Sequence, residues 1–529
     1  MGSRFVRKVR TASGAVAVQV VRKDAGRVVE VEHLGSAHTD EELGLLLEAA
    51  ERVARPGQDV LDVGPVERLA PSVGDVADWT GKGGQGLVRP AGRRRVVNGG
   101  AQVVGTASLT LWRVLEAAYR RLGFDAVGDD VFAKIVLARI TEPTSKADAL
   151  RVLDDLGVRP PSLRSVFNML DRCQARDYRD TLARCCQRHS AATSGMAGVV
   201  LYDVTTLHFE TDDEDEWRKV GLSKEHRVDP QIQVGLLVDA GGFPLEVGMF
   251  PGNKAETTTL IPVLDGFKAR HGVEDVVVVA DAGMLSAANL NALEDAGYRF
   301  IVGSRITKAP YDLADHFKRH GDYFDDGQVL ESARVMGQGK TARERRVVYQ
   351  WLFKRYKKDN KSINKQIDRA ERIASGQATA RNARFLKVTG ARRSLNQATI
   401  DRARQLAGLK GYVTNVPAAD MDGRAVITAY HDLYQVEASF RVTKSDLRAR
   451  PTFHWDPAKI DAHLTIVFAA LAISRHLQNL TGLSIKKIVH TLRPIRSADI
   501  DINGNTITID PRLPDPIRQI IQTVTDAGH

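Results

Sequence analysis

Three carboxylates stand in settings that suit phosphoryl transfer. Asp203 lies part-way along the apolar run GVVLYDVTTL, where a charge is costly unless it is paired or binds a metal. Asp281 follows four consecutive valines in VVVVADAGM, the pattern of a strand buried on both faces, and Gly283 comes two residues later. Glu437 sits among Val436, Ala438 and Phe440 in AYHDLYQVEASFRVTK, on a predicted helix over 424–442. An acid on an early strand, a second ending a later strand and a third on a following helix are the parts of a two-metal site. Such a site needs hard oxygen ligands to hold two Mg²⁺ ions roughly 3.5–4 Å apart, one activating the attacking oxygen and one steadying the leaving oxygen. Mn²⁺ is expected to substitute. Taken alone, Asp281 reads equally well as a cap for a helix starting near Ser286.

The elements that must position these acids follow from the local patterns. Residues 4–33 alternate in strand-like runs around DAG and predict a small basic β-hairpin unit; TDEELGLLLEAAERVA opens a helix at Thr39, and the Gly/Arg-rich 80–100 reads as a linker. From about 106 to 190 the pattern is helical. Within it, Ser145 suits a cap, Gly157 a stop, and Pro160 and Pro161 a new start. Two short helices around that turn suit a helix-turn-helix whose second helix brings Arg164, Ser165 and Asn168 to a major groove; an ordinary αα-hairpin is the other reading. From 198 the period becomes that of strands, ending in a strand–helix–strand unit. Residues 305–408 are polar and basic, with eleven Lys/Arg against four Asp/Glu between Arg343 and Arg372. Trp351 there suits either core packing or stacking on an unpaired base. GLKGYVTNV is a return strand, an apolar helix covers 460–478, and DIDINGNTITID is a hairpin about Asn503-Gly504.

Composition narrows the class. At 529 residues, 43% hydrophobic and 26% charged, the chain reads as soluble, globular and multidomain. A formal charge of +10 and a pI near 9.4 favour a polyanionic partner, most simply nucleic acid. Three cysteines without a Cys-x-x-Cys pair argue against a disulfide framework or a structural zinc. The N-terminus shows no apolar signal region, and LTIVFAALAI, with Arg475 and His476 close behind, reads as a buried core helix, so no membrane partner is expected. ETDDEDE lacks the glycine and spacing of a calcium loop and reads as a solvated acidic loop.

The sequence resembles the DDE transposases of bacterial insertion sequences, in the branch whose third motif is Tyr-x2-Arg-x3-Glu-x6-Lys. Tyr430, Glu437 and Lys444 stand at that spacing; position 433 is leucine instead of arginine, and Arg441 offers a guanidinium one turn past Glu437. LYDVTTL and VVADAGM resemble the two aspartate motifs, and GLSKEHRVDPQIQVGLLVD and FPGNKAETTTL, with Gly252, Asn253 and Glu256, resemble the same branch. The likeness covers roughly 198–304 and 408–478. It implies a multidomain α/β protein with a ribonuclease-H-like mixed sheet core, a largely β insertion domain and a mainly helical N-terminal DNA-binding region. The 78 residues from Asp203 to Asp281 against 156 from Asp281 to Glu437 place the insertion in the second gap. The expected segments are 1–100, 101–197 (DNA-binding), 198–304 and 408–480 (core), 305–407 (basic β-rich insertion) and 481–529 (a helix and the β-hairpin). The implied activity is Mg²⁺-dependent strand cleavage at terminal inverted repeats, then strand transfer. Asp203, Asp281 and Glu437 are the implied catalytic metal ligands. Tyr430 and Lys444 would position phosphates, Lys224 and Arg227 would contact DNA near the site, and Arg441, Arg448 and Arg450 would track the backbone. The partners are double-stranded DNA, both repeat and target, and further copies of the chain in a dimer or larger assembly; no nucleotide cofactor is expected. The setting is the bacterial cytoplasm, on the nucleoid when DNA-bound. Two other readings stay open: an endonuclease without strand transfer, and a non-cutting DNA-binding protein derived from a transposase.

Overall fold

The structure, a computed structural model, describes residues 3–10, 16–24, 27–37, 102–194, 198–210, 213–221, 229–255, 258–273, 275–284, 286–378, 383–389, 392–450, 456–502 and 505–526. The helix expected from Thr39, the linker at 80–100 and the Asn503-Gly504 turn lie outside them. The chain divides into two units, 1–96 and 97–529. In the first, β1 (Ser3–Arg10), β2 (Val16–Asp24) and β3 (Arg27–Ala37) form an antiparallel meander.

The second unit opens with β4 (Gln102–Ala107) and five helices: α1 (Leu109–Arg121), α2 (Asp130–Thr141), α3 (Ala149–Asp155), α4 (Leu163–Ala175) and α5 (Tyr178–Ser194). Their starts are written locally. The Asp129 carboxylate accepts the Val131 and Phe132 N–H groups at 3.0 and 3.2 Å, and Ser162 Oγ accepts the Ser165 N–H at 3.1 Å. Asp129 also accepts from Arg172 and Tyr178, which ties α2 to α4 and α5.

A mixed sheet follows, built on β5 (Val199–His208), β6 (Gln231–Asp239), β7 (Pro244–Pro251), α6 (Leu260–His271), β8 (Val277–Ala280), α7 (Ala287–Asp295) and β9 (Arg299–Ser304). After short helical turns come β10 (Val329–Met336), β11 (Arg343–Trp351), α8 (Phe353–Ala374), β12 (Leu386–Thr389), β13 (Arg392–Leu395), α9 (Gln397–Gln405) and β14 (Leu409–Thr414). Eight strands share one sheet in the order β10-β11-β14-β9-β8-β5-β6-β7. β5, β8 and β9 run parallel, and every other neighbouring pair is antiparallel. β6 and β8 are buried along their whole length, as apolar runs covered on both faces must be.

Residues 305–407 do not form the separate β-rich domain expected of them. β10 and β11 extend the main sheet through β14, because β11 carries Val347, Val348 and Tyr349 in a fully buried row. The longest element there is the 22-residue helix α8, which with β12, β13 and α9 encloses a small core of Ile363, Ala370, Phe385, Ile400, Ala403 and Ala407.

The last elements are α10 (Gly423–His431), α11 (Tyr434–Arg441), α12 (Pro457–Thr481), α13 (Ile485–Leu492), β15 (Ser497–Ile502), β16 (Asn505–Ile509) and α14 (Asp515–Asp526). α12 begins at the Asp456 cap with Pro457 in its first turn and stops at Gly482, whose φ of +69° suits glycine. It is long and apolar enough to cross a membrane, but residues 462–477 are all buried inside the protein. A helix apolar on every side must be covered on every side. α1, α2, α4 and α5 cover part of it and β7 another part, so the helices between 109 and 194 share one hydrophobic core with the sheet.

One buried pair links α5 to α12. His476 Nδ1 lies 3.2 Å from His189 Nε2, and His476 is 3% exposed. Burial, then His189 and Arg121, push the His476 imidazole down to about 3 from an ordinary 6.5. Above 6.5 neither the native nor the unfolded form is protonated there. Between 6.5 and about 3 only the unfolded chain takes up the proton, so stability falls as pH falls, by about 1.4 kcal/mol per pH unit at most. Other groups titrate in that window, so the measurement is a difference. The urea midpoint of the wild type should drop more steeply than that of His476→Leu between about pH 7 and about pH 5.

Candidate active site

Strand register brings the first two acids level. Val199, Val200 and Leu201 of β5 lie opposite Val277, Val278 and Val279 of β8 in parallel. Continued two residues past the last pair, that register carries Asp203 of β5 and Asp281, just after β8, to the same side of adjacent strands. That side is identified by its neighbours. Thr205 and Leu207, which alternate with Asp203, line one small cavity together with Phe440 of α11, Thr443 and residues of α12. Tyr202 points the other way, toward Thr259 at 2.8 Å. The helix carrying Glu437 therefore covers the face on which Asp203 lies, and α11 packs on β5. Glu437 itself is exposed and Asp203 half-buried.

Asp281 is not spent on helix capping. The following helix α7 is capped by Ser286, whose Oγ accepts the Asn289 N–H at 3.1 Å. Asp281 Oδ1 instead accepts the Ala282 N–H at 2.6 Å and the Tyr430 hydroxyl at 3.1 Å. Burial first, then the Asp281 charge, raises the Tyr430 phenol, so it stays a donor at neutral pH. Tyr430 lies 4.8 Å from Tyr412, centroid to centroid, and needs Gly303 on β9: a Cβ there would fall 2.6 Å from the Tyr430 hydroxyl. Neither Gly303 nor Lys410, whose Nζ sits 4.5 Å above the Tyr430 ring, is singled out by the sequence reading, because each reads as an ordinary strand residue.

The donor chemistry suits a hard divalent cation: three carboxylates on two level strands and the helix covering them. As placed, no group of three His, Cys, Asp or Glu side chains among the described residues stands close enough to hold a metal ion. The acids share a face without forming a finished cage, and binding an ion requires their side chains to draw together.

The helix predicted over 424–442 is two helices, because a turn at Asp432–Leu433 separates α10 from α11. Leu433 is buried in the core and brings no charge to the site. Arg441 is exposed at the end of α11, and Lys444 lies in a π-helical turn, Val442–Asp446. Beyond it Arg448 takes the left-handed conformation, φ +43°. The backbone there is gripped from outside: Arg139 of α2 donates to the Leu447 and Arg448 carbonyls at 3.1 and 2.7 Å, and His463 Nε2 lies 3.2 Å from the Ala449 carbonyl. The guanidinium of Arg448 is left exposed, while Arg450 is half-buried. Arg164 and Asn168 share an exposed face of α4. Lys224, Arg227 and Glu256 lie outside the described residues. Trp351 is a correction to the base-stacking expectation: it is 9% exposed, its indole N–H is given to the Ala407 carbonyl at 3.0 Å, and Phe324 and Tyr356 flank its ring.

A family model described as Transposase DDE domain matches residues 194–473, more than half of the chain. The chain belongs to this family. Transposases with this domain cut and transfer DNA and generally use divalent metal ions. The DDE domain begins at the end of α5, just before β5, and runs through most of α12, so it takes in all three acids and the segment between β9 and β14. Among solved structures, the piggyBac transposase synaptic complex with hairpin DNA, determined by cryo-EM, is similar over 73% of this chain and 69% of that chain, at 11% identity and a TM-score of 0.34. No curated protein sequence matches the chain.

Proposed function

We propose that this DDE-family chain is the transposase of a bacterial insertion sequence, acting in the cytoplasm on the terminal inverted repeats of its own element. The observation that carries the reading is the β5–β8 register, which sets Asp203 and Asp281 level on the face covered by the Glu437 helix. On this reading β5–β9 are a ribonuclease-H-like core, with 305–407 inserted before β14.

Asp203, Asp281 and Glu437 would hold two Mg²⁺ ions, which supply an activated attacking oxygen and charge neutralisation at the leaving oxygen. In the first reaction water attacks a phosphorus at the element's end, the P–O3′ bond breaks, and a 3′-hydroxyl and a 5′-phosphate result. In the second, that 3′-hydroxyl attacks a target phosphodiester and a target 3′-oxygen leaves, so phosphoester bonds are exchanged one for one without a covalent protein intermediate. Tyr430 orients Asp281 through its hydrogen bond, while Lys444, Arg441, Arg448 and Arg450 neutralise backbone phosphates. The grip of Arg139 and His463 fixes where that basic segment lies. Arg164 and Asn168, exposed on α4, would touch DNA from there. Two ends must be joined, so the working form is a dimer or larger.

The test uses labelled DNA carrying the element's end with purified protein and Mg²⁺ or Mn²⁺. Nicked and strand-transfer products are expected together. Nicks without joining would identify an endonuclease, and binding without any cut a non-cutting relative.

A further inference from the structure

Lys410 stands at the Asp281 end of the sheet with its ammonium against two aromatic rings. It is on β14, opposite Gln350 of β11, on the same face as Tyr412 two residues on. Its stem is half-buried, and its Nζ lies 4.5 Å from the Tyr430 ring centroid and 5.5 Å from that of Tyr412. Among the described residues the ammonium makes no hydrogen bond and no ion pair. Asp281, the carboxylate that acts on it, does so from beyond ion-pair distance and is already satisfied by Ala282 and Tyr430.

A second cation reinforces the arrangement. Arg355 of α8 repels Lys410 and acts on Tyr412 as well, while its own carboxylate, Asp359, is shared with the Gly408 N–H at 3.1 Å. The imidazole of His431, 3.3 Å from the Tyr412 hydroxyl, is pushed down by burial and by Lys410, so it adds no charge at neutral pH. Asp432 beside it acts on His431, and not on the ammonium. An ammonium that gives up part of its hydration without gaining a hydrogen bond costs stability unless an anion completes it. The Tyr430 and Tyr412 rings hold the Nζ by their faces and offer it no hydrogen-bond acceptor there.

We infer that Lys410 is a phosphate-positioning residue, which holds the DNA strand crossing the Asp281 end of the sheet from the side opposite the Lys444 segment. The inference rests on the proposed reading of Asp281 as part of the active site. It assigns to strand β14 a DNA contact that neither the three acids nor the basic segment 441–450 supplies. Tyr430 then has two partners: it donates to Asp281 and presents its ring to the cation.

The experiment measures the affinity of the full chain for a short labelled duplex of the element's end across a salt series, for the wild type, Lys410→Met, Lys410→Arg and Asp281→Asn. Lys410→Met keeps the stem on the two rings and removes only the charge. Its affinity should fall about tenfold at about 0.1 M salt, with the log–log salt slope smaller by about 1 and the melting temperature not lowered. Lys410→Arg should recover most of the binding. An unchanged slope and affinity in Lys410→Met would overturn the inference; so would a lowered melting temperature that Lys410→Arg does not restore, which is the mark of a structural role. If Asp281→Asn cuts like the wild type, the reading of the site fails, and the salt slope still decides whether Lys410 touches phosphate.

Discussion

Asp281→Asn should bind the element's end as tightly as the wild type, or slightly more tightly, and cut it about a thousandfold more slowly. The asparagine keeps an oxygen for the Ala282 N–H and the Tyr430 hydroxyl, so the local geometry survives. It loses the negative charge, and with it the hard-anion character that a divalent ion demands. Each tenfold in rate is about 1.4 kcal/mol, and the loss of one of three carboxylate ligands is worth several kcal/mol of transition-state charge stabilisation. Asp281 is exposed, so the substitution should leave the melting temperature within about a degree of the wild type. Removing a negative charge beside a polyanion favours binding if it changes it at all. Glu437→Gln, exposed on α11, should behave alike. Single-turnover cleavage by each variant, beside a binding curve on the same DNA, separates chemistry from affinity; cutting at the wild-type rate would remove Asp281 from the site.

The positions of the acids were legible because strands announce themselves by short-range pattern. Four valines before Asp281 and the run around Asp203 need no tertiary knowledge to be read as strands, and β5 and β8 follow. The acids' mutual register is a tertiary fact and could not be read from either segment alone. Neither could the destination of β10 and β11, whose alternation says "strand" but not which sheet. They add to the main sheet because β14 offers a free edge, and residues 305–407 seem self-contained only while that edge is unseen. Of α8 only the second half, NKQIDRAERIAS, reads as helix from sequence, because its first two turns are charged and aromatic: only Ile363, Ala370 and Ile373 along it are buried, too few for a strong period early on. The break at Asp432–Leu433 left no mark in the sequence either, since both halves of the run have helical periodicity. Lys410 and Gly303 matter through neighbours far along the chain, and a single sequence does not display those neighbours.

Gly252→Ala should destabilise the protein by about 3–5 kcal/mol and lower its melting temperature by roughly 10 °C, the largest stability effect expected of a one-carbon change here. A Cβ at 252 would stand 2.0 Å from the Gln231 carbonyl oxygen and 2.5 Å from that of Lys219. Neither oxygen can retreat cheaply. Lys219 and Gln231 exchange both backbone hydrogen bonds, at 3.1 and 3.0 Å, and the Gly252 N–H is itself given to the Trp217 carbonyl at 3.0 Å. The crossing is tight from the other side as well, because a Cβ at Gly221 would meet the Gly252 carbonyl oxygen at 2.2 Å. Three stretches of backbone thus meet where β7 ends, and Gln231 and Gln233 reach across from β6 to the Gly252 and Lys254 carbonyls. Overpacking of side chains relaxes by rotamer changes, whereas a clash with paired backbone must move a strand. Two control glycines sharpen the test. At Gly241 the nearest atom would be 3.4 Å away, and at Gly266, inside α6, nothing lies within 4 Å. Gly241→Ala should therefore be near neutral and Gly266→Ala should stabilise by up to about 1 kcal/mol. Urea midpoints of the three variants measure this ranking, and a Gly252→Ala protein as stable as Gly241→Ala would mean that the backbone crossing is looser than these distances require.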